Sequence, residues 1–217
     1  MRERGKVIPH SEIFNFVYAT DVWYGGSGAG SSEAATVTYR AYLSGFLREK
    51  KIRSVVDAGC GDWQSSRLID WTGIHYLGID VSSVALKNTA QYSSSSIQFR
   101  EGDVRSDDLP GANLLLMKDV LQHWPTADIL AFLPKLGRFR FCLITNDFDP
   151  NRRFRPEIRA GAHEPVDLTK PPFLLRGVWV LKIPPISAQY FGREPCSTEL
   201  WQPDRAGRAY GSSSVSQ

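Results

Sequence analysis

Apolar positions in this chain fall into short runs separated by amphipathic stretches, and the runs read as strands. Arg53–Ala58 carries the β-branched pair Val55 and Val56, and His75–Asp80 is a second apolar run. Ile97–Asp103 alternates apolar and polar residues, Ala112–Met117 is wholly apolar, and Phe139–Thr145 reads as a fifth strand. Between them lie helical patterns. After Ser32, a suitable cap, Tyr39, Tyr42, Leu43, Phe46 and Leu47 recur at helical spacing on one face, closed by Arg48–Lys51. Further helices are predicted over 65–71, from Ser82 or Ser83 to about Gln91, and from Pro125 to Leu136 with Gly137 beyond. Strands alternating with helices predict an α/β protein: a doubly wound, mostly parallel sheet with helices on both faces. The pattern weakens over 146–172, and 178–183 and 198–201 are expected to add an antiparallel edge.

Composition narrows this only slightly. The 217 residues, 42% hydrophobic, suit one globular unit, divided as an N-terminal segment 1–32, a main domain 33–205 and a serine-rich tail 206–217 expected to be disordered. A net charge of +3 does not argue for nucleic acid. Cys60, Cys142 and Cys196 form neither a disulfide framework nor a metal pattern. With no apolar leader and no membrane-length run, a cytoplasmic, metal-free protein is expected.

The chemistry gathers where strands end. Asp57, Asp80, Asp103 and Asp119 each stand at or just past a carboxyl end, where open α/β sheets bind ligands. Turn chemistry could account for any one of them, but hardly for four. Directly after Asp57 comes Ala58-Gly59-Cys60-Gly61, a turn whose glycines let a ligand approach the backbone. Gln64 stands where a dinucleotide fingerprint needs its third glycine, and no Gly-Lys-Ser/Thr follows.

Asp57-Ala58-Gly59-Cys60-Gly61, with Asp80, Asp103-Val104 and Lys118-Asp119-Val120 in order, resembles the class I, Rossmann-like S-adenosylmethionine-dependent methyltransferases. The likeness covers about residues 53–147, and a closer likeness to small members of unassigned substrate adds Trp23, Ser27–Ser31, Thr38 to Arg40 and His123. The resemblance implies S-adenosyl-L-methionine as cofactor and S-adenosyl-L-homocysteine as product. It places Gly59, Cys60 and Gly61 beneath the cofactor, Asp80 and Val81 at the ribose, Asp103 and Val104 at the adenine, and Lys118 and Asp119 near the methyl.

Several roles stay open at this stage. The Gly25–Ser32 run is either a linker or, as the resemblance implies, a lid over the cofactor. Arg40 either grips the cofactor carboxylate or is a solvated helix residue, and Trp63 packs on the cofactor or in the core. His123, one turn past Asp119, is a general base or a structural residue. Arg152, Arg153, Arg155 and Arg159, with His163, form either a solvated loop or a clamp for an anionic acceptor. The strand-four turn lacks the Pro-Pro motif of amino-directed nucleic-acid enzymes, and Pro195-Cys196 lies too late for cytosine carbon chemistry. The expectation is therefore methylation, at oxygen, of a small molecule or glycan, with no nucleic-acid or membrane partner. The alternative is a non-catalytic cofactor-binding module acting as a partner subunit.

Overall fold

The computed structural model describes residues 8–149, 151, 155–183 and 197–203. The tail 206–217, Cys196, Arg152 and Arg153 lie outside them. Seven strands form one sheet in the order β3-β2-β1-β4-β5-β7-β6. Strands β1 (Ser54–Ala58), β2 (His75–Asp80), β3 (Ile97–Glu101), β4 (Leu114–Lys118) and β5 (Phe141–Phe148) run parallel. Strands β6 (Gly177–Ile183) and β7 (Ser197–Pro203) complete the antiparallel edge. This is the Rossmann-like arrangement expected. Its order reverses between β1 and β4, which fixes the ligand crevice there.

The sheet is apolar on both faces, as a parallel sheet must be. Val56, Leu115, Met117 and Ile144 face one cluster with Ile129 and Phe132. Val55, Leu114, Leu116 and Leu143 face the other, with Tyr39, Leu43 and Phe46. The last three belong to helix α2 (Val37–Glu49), whose predicted apolar stripe is the buried one.

Other helices depart from expectation. Residues 65–71 give only a 3-10 turn, Ser66–Leu68. The stretch after Ser82 breaks into α3 (Ser83–Leu86), capped by the Ser82 hydroxyl, and a 3-10 turn Thr89–Tyr92. Helix α4 (Thr126–Phe132) passes into 3-10 turns over Leu133–Arg138, where Pro134 brings no N–H to an α-helical ladder. Helix α1 (His10–Ala19) was not foreseen; it buries His10, Phe14 and Val17. Among the described residues no helix is long and apolar enough to cross a membrane.

Candidate active site

The glycine turn leaves β1 with Gly59 and Gly61 both in the left-handed region, at φ +82 and +57. Gly59 donates to the Ile79 carbonyl at 2.7 Å, tying the loop to the end of β2. A Cβ on Gly59 would collide with the Val120 side chain, so that glycine admits the turn after β4. Asp80, 7% exposed, accepts from Gly61 N at 2.8 Å and from Ser82 N at 2.8 Å. Burial pushes its carboxyl up to about 6 in spite of those bonds. Asp57 lies behind the loop, accepts from the Tyr76 hydroxyl at 2.5 Å, and is likewise raised by burial to about 6. Cys60 is a half-buried free thiol whose ionisation its desolvation strongly disfavours.

The N-terminal segment is docked on this loop. Ser27 Oγ donates to Asp62 Oδ1 at 2.7 Å and is paired with the Tyr18 hydroxyl at 2.9 Å. A Cβ on Gly61 would fall on Ser27 Oγ and stand 2.8 Å from the Tyr18 hydroxyl. Conversely, a Cβ on Gly26 would collide with the Asp62 carboxylate. Asn15 of α1 accepts from Ser82 Oγ at 2.8 Å and from Val84 N at 3.2 Å, holding the start of α3.

After β3, Asp103 is gripped by Arg105, whose Nε reaches Oδ1 at 3.0 Å and Nη2 reaches Oδ2 at 2.6 Å. Burial would raise Asp103, but those bonds hold it below the ordinary range. Arg105 Nη1 also meets Asp128 at 2.5 Å and His10 Nε2 at 3.0 Å. The acid assigned to adenine is thus tied to α1 and α4 through one guanidinium. Val104 is buried in the core beside it, while Val81, at the end of β2, is half-buried.

At the end of β4, Asp119 takes a left-handed backbone, φ 57, unusual for a residue with a side chain. Lys118 pairs with Asp119 and donates to the Gly30 carbonyl at 3.0 Å. Burial raises the Asp119 carboxyl. His123 follows, with Nδ1 3.0 Å from the Ala162 carbonyl, so that nitrogen carries the proton. Burial first, then the His163 charge, lowers His123 to about 4, leaving it neutral near pH 7. Trp23 stacks on its ring at 5.1 Å, and His163, bonded to Asp147 at 2.7 Å, meets it edge-on at 5.7 Å.

Gly59, Gly61, Asp80, Asp119 and His123 therefore stand at the carboxyl ends of β1, β2 and β4, with Trp23 of the N-terminal segment on His123 and Asp57 behind the glycine loop. Others turn inward. Trp63 is 4% exposed and packs on Tyr76, Tyr92 and Phe99 in the core. Arg40 is spent on the Glu33 carbonyl at 2.8 Å and the Thr36 hydroxyl at 3.2 Å. Arg155, 9% exposed, donates to the Trp124 carbonyl at 2.8 Å and the Thr126 hydroxyl at 3.0 Å, so it fastens the segment after β5 to the start of α4. Tyr18, Asp62 and Arg105, which tie these segments together, were not singled out in the sequence; of the three, Asp62, inside the Gly-Asp-Trp run, alone left a signal.

The family profile described as an O-methyltransferase domain matches residues 11–139, from α1 through all four strand-end acids. The chain belongs to the O-methyltransferase domain family. No curated protein matches this methyltransferase. Solved structures share its fold at low identity. The N-methyltransferase NodS from Bradyrhizobium japonicum WM9, in complex with S-adenosyl-l-homocysteine, is 12% identical with a TM-score of 0.65, over 89% of this chain and 98% of that one. The 1,6-didemethyltoxoflavin-N1-methyltransferase of Burkholderia thailandensis, with 1,6-didemethyltoxoflavin and S-adenosylhomocysteine bound, is 15% identical with a TM-score of 0.62, over 93% of each. The magnesium protoporphyrin IX methyltransferase of Synechocystis PCC 6803, with SAM bound, is 15% identical with a TM-score of 0.60, over 91% of this chain and 98% of that one.

Proposed function

We propose that this methyltransferase transfers the methyl group of S-adenosylmethionine to a hydroxyl of a small molecule or glycan. The observation that carries the reading is the crevice itself: a glycine turn, a buried carboxylate at the end of β2 and a second acid after β4, at the reversal of strand order. These residues fit the cofactor. Asp80 uses one lone pair on each oxygen for a backbone N–H, leaving acceptor capacity for a vicinal diol. The cofactor supplies, when bound, a methyl on a positively charged sulfur that needs no further activation.

The protein's task is then orientation and exclusion of water. We assign the N-terminal segment the role of a lid, through Ser27 on Asp62, Lys118 on Gly30 and Trp23 on His123. His123 is proposed to face the reacting hydroxyl with Nε2 as hydrogen-bond acceptor. A site lowered to about 4 holds a proton poorly at neutral pH, so it orients the hydroxyl and the proton goes on to solvent. Asp119 stands beside it on the same crevice. The family description supports oxygen as the atom methylated.

The test is calorimetry with S-adenosylmethionine and S-adenosylhomocysteine, followed by transfer of a labelled methyl to hydroxylated acceptors. Binding of both ligands with label transfer to an alcohol or phenol is expected. Absence of binding by the unmutated protein would overturn the reading, and binding without transfer to any acceptor would favour a partner subunit.

A further inference from the structure

We propose that Arg105 is a positioning residue for the base of the cofactor. It fixes Asp103 so that one carboxylate oxygen meets the amino group on the purine edge, and the site thereby selects a 6-aminopurine over a purine without that donor. This rests on the methyl-transfer reading above, which sets the cofactor's ribose at Asp80. The sheet then places the base. Asp80 pairs in register with Glu101, and Gly102 N donates to the Asp80 carbonyl at 2.9 Å. Asp103 follows directly, so the two acids stand at the ends of neighbouring strands about 4.8 Å apart. A purine joined to a ribose at Asp80 spans that step.

The turn that carries Asp103 is held from several sides. Its carbonyl accepts from Ser106 N at 3.0 Å and from Asp107 N at 2.8 Å. Lys135 Nζ donates to the carbonyls of Val104, Arg105 and Asp107 at 2.9, 2.6 and 2.8 Å. The side chain is held as firmly. Asp103 Oδ1 accepts from Arg105 N and Arg105 Nε, both at 3.0 Å, which occupies its two lone pairs. Oδ2 accepts from Arg105 Nη2 at 2.6 Å and keeps one lone pair. The Asp103 side chain is 27% exposed, so a donor can approach it. The guanidinium is anchored in turn: Nη1 meets Asp128 of α4 at 2.5 Å and His10 Nε2 of α1 at 3.0 Å. A guanidinium only donates, so His10 accepts here. Burial, with the Arg105 charge, lowers His10, which suits a neutral ring.

What an unheld aspartate would lack is orientation. Its carboxylate would turn among rotamers, and ordering it would cost part of any bond it made to a ligand. The arginine fork removes that cost before the ligand arrives, because its planar donors match both carboxylate oxygens. Burial would raise the Asp103 carboxyl, but the bonds from Arg105 hold it below the ordinary range. At neutral pH it is therefore an acceptor only, and its complement is an N–H donor. The 6-amino group of adenine is such a donor; a purine with hydrogen at that position leaves the lone pair unmet.

The test is calorimetry with S-adenosylhomocysteine and with the same molecule carrying unsubstituted purine in place of adenine, which deletes only the amino donor. The unmutated protein should bind S-adenosylhomocysteine at least about tenfold more tightly, as the loss of one hydrogen bond to a charged acceptor implies. Arg105→Met should shrink that ratio at least about threefold, with the loss falling on S-adenosylhomocysteine. Arg105→Lys, a point charge without the fork, should shrink it as well. Asp128→Asn disturbs only the arm that reaches α4, so its ratio should match that of the unmutated protein. A staple that merely held α1 and α4 in place would weaken both ligands alike and leave the ratio intact. An intact ratio in either Arg105 variant, a collapsed ratio in Asp128→Asn, or an unmutated ratio below about tenfold overturns the proposal. Should Arg105→Met not fold, Arg105→Lys and the unmutated ratio decide it. Failure of the unmutated protein to bind S-adenosylhomocysteine would instead strike at the methyl-transfer reading.

Discussion

Asp80 gives the sharpest prediction, because its burial and its proposed partner pull its ionisation in opposite directions. Its carboxyl stands at about 6 against an ordinary 3.8, so keeping it charged costs the ligand-free fold up to about 3 kcal/mol at neutral pH. For a raised carboxyl, the stabilising contribution is complete below 3.8 and is lost as pH rises through 6. Binding reverses the balance: ribose hydroxyls donating to the carboxylate favour the charged form. Affinity for S-adenosylhomocysteine should therefore be level above pH 6 and fall below it, about tenfold between pH 7 and pH 5. Asp80→Asn should flatten that dependence and, by replacing charge-assisted bonds worth about 1.5–3 kcal/mol, weaken binding at pH 7 by roughly 10- to 150-fold. Asp57 shares the value of about 6 but is bonded to Tyr76 and Ser66 behind the loop, so Asp57→Asn should keep the pH dependence. Calorimetry from pH 5 to 8 in two buffers of different ionisation enthalpy measures affinity and proton release together. An Asp80→Asn protein that binds as tightly as the unmutated one, or keeps the tenfold change, would refute the reasoning.

Gly61→Ala would set a side chain at φ +57 against Ser27 Oγ and the Tyr18 hydroxyl; proteolysis should show residues 15–31 released, with S-adenosylhomocysteine affinity down at least about tenfold. Arg105→Met would strip Asp103, Asp128 and His10 of their shared partner; for this partly buried cluster a loss of about 1–2 kcal/mol is expected, a melting drop of about 3–6 °C by calorimetry. His123→Ala should lower kcat less than tenfold and leave the pH–rate profile without a lost limb near 6.5, since a site at about 4 does not titrate there; a vanished limb would make it the base.

The sheet was legible because four of its parallel strands run up to an acid, and the strands buried on both faces, β1 and β4 above all, leave little other place for charge. Leu114–Leu116 and Ile79 are entirely buried, and Asp80 and Asp119 fall where those runs stop. Helix α1 was not legible: Phe16 is 63% exposed and interrupts the buried stripe, so HSEIFNFVYA shows no clean period. Its docking depends on Asn15 reaching residues 67 and 69 positions away, which no local pattern reports. The acids of the site were visible but their partners were not. Arg105 converts Asp103 from a free acceptor into part of a clamp, and Arg155 looks like a substrate arginine until its bonds to Trp124 and Thr126 are seen.

Gly26 and Gly61 each leave room for a group from the other's loop, Asp62 in one direction and Ser27 with Tyr18 in the other. The two segments therefore form a single unit of variation, although 35 positions of sequence separate Ser27 from Asp62. A side chain at either glycine cannot be absorbed locally, because the opposing loop already fills the space. Exchanging the N-terminal segment thus requires residues 59–63 to change with it, and Gly61 among them also holds Asp80. The N-terminal segment and the loop after β1 are coupled through two missing side chains.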